Sequence, residues 1–65
     1  MQTREPLLWT IPEAAEQLGI GRSKLYELLR LGTIPTVRIG KSVRVPSRAI
    51  RDYAERLEAE QAVVA

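Results

Sequence analysis

Arg22, Tyr26 and Arg30 recur every four residues in GRSKLYELLR, with Ser23 and Lys24 set between them. Spaced this way on a helix, the three share one face. A guanidinium pairs with a guanine edge or clasps a phosphate. Hydroxyl and ammonium groups reach bases or phosphate oxygens, and a phenol donates to phosphate. A second basic group follows in TVRIGKSVRV, which carries Arg38, Lys41, Ser42 and Arg44, and Arg48 lies just beyond it. These residue types suit recognition of a polyanion rather than bond-breaking chemistry.

The charge is concentrated accordingly. The net value of +2 hides a sum of −2 over residues 1–20, +7 over 21–51 and −3 over 52–65. A basic middle of this kind is the electrostatic footprint of a nucleic-acid binder. A solvated basic face would give the same sum. The chain has 65 residues and neither Cys nor His. One small domain is expected, with no disulfide, no common zinc site, no thiol and no histidine base. The carboxylates fall in helical salt-bridge contexts, so no enzyme and no cofactor are expected. GKS at 40–42 lacks the glycine-rich loop of a nucleotide-binding P-loop. No apolar run approaches the roughly 20 residues of a membrane span. MQTREPLLW is too short and too acidic for a signal peptide. The absence of Cys allows a cytoplasmic compartment.

The scaffold that must hold these side chains reads as helix, helix, hairpin, helix. Residues 1–8 read as a loose arm, and Trp9 and Ile11 as the first core residues. Thr10-Ile11-Pro12-Glu13 is a capping box, with Pro12 harmless in the first turn. Ile11, Ala14, Ala15 and Leu18 form an apolar stripe, and Gly19 ends that helix. A second helix runs from about Arg22 to Leu31, burying Leu25, Leu28 and Leu29. Gly32 closes it, and Pro35 keeps Ile34 out of helix. Residues 36–45 alternate with period two around Gly40-Lys41-Ser42. A three-residue loop there would pair Ile39 with Val43, Val37 with Val45 and Arg38 with Arg44, keeping every aliphatic on one face. The two facing arginines would then repel unless an anion lay over them. Pro46 ends the hairpin and Ser47 caps a last helix, with Ile50, Tyr53, Ala54 and Leu57 as its apolar stripe. Arg51 is placed to pair with Glu55, and EAEQAVVA should fray. The expectation is one domain over 1–65, mainly α with a small β-hairpin. Its ordered core spans about 9–57, between a flexible N-terminal arm and a flexible C-terminal tail.

Ala15, Gly19 and Leu25 carry a more specific pattern: small residue, glycine, branched aliphatic at the spacing of a helix-turn-helix. Ala15 lets the second helix cross closely, Gly19 permits the reversal, and Ile20 and Leu25 fill the angle between the helices. Such a turn lets the second helix enter a major groove while the first crosses the backbone. Gly21 caps weakly, leaving N–H groups free near a phosphate. A plain helical hairpin has similar spacing, and the outward Arg22, Ser23, Tyr26 and Arg30 favour the DNA-binding form.

The stretch WTIPEAAEQLGIGRSKLYELLRLGTIPTVRIGKSVRVP resembles the small winged-helix DNA-binding domains of the excisionase family, themselves similar to the heads of MerR regulators. The resemblance covers about residues 9–57. It implies a winged helix-turn-helix with residues 22–31 in the major groove and the 36–45 hairpin as a wing over the minor groove. Arg22, Ser23, Lys24 and Tyr26 match groove-facing positions, and Arg38, Lys41 and Arg44 match wing contacts to phosphate. Gly21 departs from the usual Ser or Thr cap, and Pro46 stands where a charged residue is common.

The resemblance implies a phage or mobile-element excisionase, a recombination directionality factor that is not itself an enzyme. Several copies would associate on double-stranded DNA near attachment sites, bend it and help an integrase, a tyrosine or serine recombinase, excise the element. A small MerR-like transcriptional regulator is the alternative. A third reading is a protein-interaction module whose basic face meets an acidic partner.

Overall fold

Thr10 opens the first helix through a reciprocal pair of hydrogen bonds. Its N–H donates to Glu13 Oε1 at 3.0 Å, and the Glu13 N–H donates to Thr10 Oγ1 at 3.3 Å. Two donors that a helix start would leave unmet are thereby satisfied. In the computed structural model, which describes residues 5–62, helix α1 spans Ile11–Leu18. It ends at Gly19, whose φ of 71° lies in the left-handed region. That conformation directs the Gly19 N–H to Glu16 O and the Ile20 N–H to Ala15 O, both within 3.1 Å. The paired bonds form a Schellman motif and turn the chain into helix α2, Arg22–Arg30. The same motif closes α2, with Thr33 N–H on Leu28 O and Gly32 N–H on Leu29 O.

Strands β2 (Val37–Ile39) and β3 (Ser42–Pro46) form the hairpin, and α3 (Ser47–Ala62) follows directly. A further strand, β1 (Leu8–Trp9), pairs with β3 on its other side. The sheet is antiparallel in the order β1-β3-β2. Ile11, Ala14 and Ala15 of α1, Leu25 and Leu28 of α2, Ile34, Val45, and Ala49 and Ile50 of α3 form the core. Leu25 and Val45 are fully buried. Ile34, placed outside the second helix on the strength of Pro35, is as deeply buried as either. Trp9, Leu18, Ile20, Leu29, Val43 and Tyr53 pack around this centre.

Four expectations are corrected by the structure. The hairpin turns over two residues, Gly40-Lys41, with Ile39 paired to Ser42, Arg38 to Val43 and Val37 to Arg44. The position of the glycine explains the choice. A three-residue loop needs its left-handed residue last, at Ser42, whereas a type II′ turn needs positive φ at its first central position. Gly40 occupies that first position with φ 59°, and no non-glycine has positive φ. Val43 and Val45 then face the core, while Val37 and Ile39 share the other face and are exposed.

The second correction concerns the arm. Residues 5–8 are held to the body: Leu8 pairs with Pro46, the Ser47 N–H donates to Leu7 O at 2.9 Å, and Glu5 forms an ion pair with Arg51. Residues 1–4 of the expected arm lie outside the described residues. Third, Ser47 does not cap α3 with its side chain. Its nearly buried hydroxyl donates to the Pro6 carbonyl at 2.6 Å. Fourth, Arg51 pairs with Glu5 and not with Glu55, because β1 brings the start of the chain beside the first turns of α3. The segment expected to fray is helical as far as Ala62, and the rest of it lies outside the described residues. No helix is long and apolar enough to cross a membrane among the described residues.

Candidate nucleic-acid interface

The α2 residues divide cleanly by face. Leu25 and Leu28 are buried, whereas Arg22, Ser23, Lys24, Tyr26, Glu27 and Arg30 are exposed. Ser23, Tyr26, Glu27 and Arg30 line a shallow depression on the outer side of the helix. Tyr26 is 56 % exposed, so its phenol is available to a ligand and is not a core group. Lys24 Nζ lies 3.8 Å from Glu27 Oε1, and both side chains are largely solvated. Such a pair contributes little to stability and leaves the ammonium free to exchange partners. Gly21 caps the helix without any side-chain bond, so the first-turn N–H groups face solvent or an anion.

The hairpin supplies the second basic group. Arg38, Lys41 and Ser42 are exposed, with Lys41 in the turn itself. Arg44 is half-buried, and its Nη1 donates to the neighbouring Val43 carbonyl at 3.0 Å. The observed register sets Arg38 and Arg44 on opposite faces of the ribbon. The expected repulsion between them is therefore absent, and with it the argument that an anion must offset it. Arg48 is exposed on the first turn of α3, beside the Glu5–Arg51 pair.

The only ion pairs among the described residues are Lys24–Glu27 and Arg51–Glu5. Arg22, Arg30, Arg38, Lys41, Arg44 and Arg48 thus have no carboxylate partner within salt-bridge distance in this set. The elements that carry them are held from limited sides. Helix α2 packs on α1, β2 rests on β3, and β3 packs on α1 and α3. The outer face of α2 and the outer edge of β2 are left open. Sequence reasoning missed Val37 and Ile39 as surface residues. The signal that could have found them is the glycine at the first position of the turn.

Two helices joined by a Schellman turn, followed by an antiparallel hairpin, define a winged helix-turn-helix protein. The chain belongs to the helix-turn-helix domain family, whose model matches residues 10–58, and groups with its excisionase-like members. An excisionase of Streptomyces ambofaciens is 40 % identical over 55 residues, which cover 85 % of this chain and 89 % of the relative. A protein of Saccharopolyspora erythraea named "Probable excisionase" is 54 % identical over 55 residues, again 85 % of this chain. The match spans 56 % of that longer relative. No solved structure matches the chain.

Proposed function

We propose that the chain is a sequence-specific double-stranded-DNA-binding excisionase. Helix α2 enters the major groove, where Arg22, Ser23, Lys24, Tyr26 and Arg30 meet base edges and phosphates. The β2–β3 wing lies along the adjacent minor groove, with Arg38, Lys41, Ser42 and Arg44 at the backbone and Arg48 on a flanking phosphate. Copies bind neighbouring sites beside an attachment site, associate there, and bend the duplex so that an integrase favours excision. The observation that carries this reading is the exposed α2 face, where Arg22 and Arg30 have no carboxylate partner among the described residues. The names of the relatives support excision over other uses of such a domain.

Footprinting and titration on the DNA flanking the gene test it. Arg22→Ala should relax discrimination at one base position by about 1–3 kcal/mol, while Lys41→Ala weakens all sequences alike and lowers the salt slope by about one. With the cognate integrase, the protein should raise excision and depress integration. A change in transcript level alone would point to the MerR-like regulator instead. If neither substitution altered binding, the docking would be wrong.

A further inference from the structure

We infer that Ile39 is an apolar wedge of the wing, inserted into the minor groove to deform the duplex. This rests on the DNA-binding reading above and adds to it the residue that produces the bend. Ile39 is the last residue of β2 before the Gly40-Lys41 turn, so it stands near the extremity of the hairpin. It is 59 % exposed. Its cross-strand partner is Ser42, a small polar side chain that cannot cover it. Val37 shares its face and is itself exposed, whereas Val43 and Val45 on the other face pack into or against the core.

The surroundings select the occupant. Lys41 stands in the adjoining turn, and Arg44, paired with Val37, projects from the same face of the ribbon as Ile39; neither forms an ion pair with a described residue. A second copy docking the same face of its own wing here would bring the two sets of cations close together, which like-charge repulsion disfavours. A duplex reverses the sign. Phosphates on the groove walls take the cations, and the apolar side chain between them meets sugars and base edges. Minor-groove proteins that bend DNA use side chains of this type to part a base step. The wedge exists only because the turn spans two residues. A three-residue loop would have faced Ile39 toward Val43 and the core.

The test compares Ile39→Thr, which keeps β-branching and removes apolar surface, with Ile39→Leu, which keeps the apolar surface. Bend angle is read by circular permutation and by end-to-end fluorescence transfer on a single footprinted site. Affinity is read across a salt series, and thermal melting checks the fold. Ile39→Thr should lose most of the bend and about tenfold in affinity at unchanged salt slope and melting temperature. Ile39→Leu should keep both bend and affinity. An unchanged bend with Ile39→Thr, on DNA that still binds, overturns the wedge and leaves the DNA-binding reading standing. Loss of cooperativity on tandem sites, with the single-site bend intact, also overturns it and assigns the face to neighbouring copies. Failure of the unaltered protein to bind any flanking DNA overturns both readings.

Discussion

Glu13 carries a pH response that can be worked out from its contacts. The Thr10 backbone N–H bonded to its carboxylate holds its pKa below the ordinary value. The Thr10 side chain and the positive charge of Arg44 act in the same direction, against a small opposing effect of desolvation. The folded state therefore binds this proton less readily than the unfolded chain does. The stability so contributed is present above the ordinary carboxylate pKa and is lost as pH falls through the lower, folded value. On acidification from neutral pH to about pH 3, the melting temperature should fall less in Glu13→Gln than in the unaltered protein. Equal falls, measured by circular dichroism, would show that the capping box does not sense the charge. This feature was legible in the sequence because Thr10 and Glu13 are three residues apart and interact only locally. The fate of Ser47 was not. Its hydroxyl bonds the Pro6 carbonyl 41 positions away, and no local pattern announces such a partner.

At the scale of elements, the turns decide where functional side chains point. No atom other than its chain neighbours would lie within 4 Å of a Cβ built at Gly19, so the constraint there is conformational and not one of space. With φ at 71°, Gly19→Ala should destabilise the protein by about 1–2 kcal/mol, and Gly19→Asn by less. Chemical denaturation checks both, and equal costs would argue against a left-handed turn. The helix boundaries were legible because caps, glycines and apolar periodicity agree. The hairpin register was not legible from alternation alone. Placing every aliphatic on one face treated the ribbon as if both strands had to fill the core. In the fold only β3 does so: Val45 is in the core and Val43 packs against it, whereas β2, at the sheet edge, is exposed throughout. The backbone requirement of Gly40 then sets the turn, and Ile39 and Val37 are left outside.

The whole molecule is thin. Its extents are 43 × 36 × 17 Å, and the shortest has room for only about two packed layers. Leu25 is among its few large side chains that are fully buried. Its truncation to alanine should cost about 2–5 kcal/mol. A core of this size supplies only about 3–5 kcal/mol in total. Leu25→Ala is expected to be largely unfolded at room temperature, as read from its far-ultraviolet circular dichroism or amide spectrum. A cooperative melt near that of the unaltered protein would contradict this.

The sequence by itself determined the two capped helices, the Schellman-prone turn at Gly19, the concentration of cations between residues 21 and 51, and the outward face of Arg22, Tyr26 and Arg30. Each depends on neighbours within about one helical turn or on composition, and a linear reading reaches that far. Only the tertiary structure decided that Glu5 holds Arg51, that Arg38 and Arg44 face apart, and that Ile39 stands at the surface of the wing. Those outcomes depend on which strand flanks β3 and which residue can take positive φ in its turn. Long-range pairing settles them, because a shift of one residue in register exchanges the two faces of a strand.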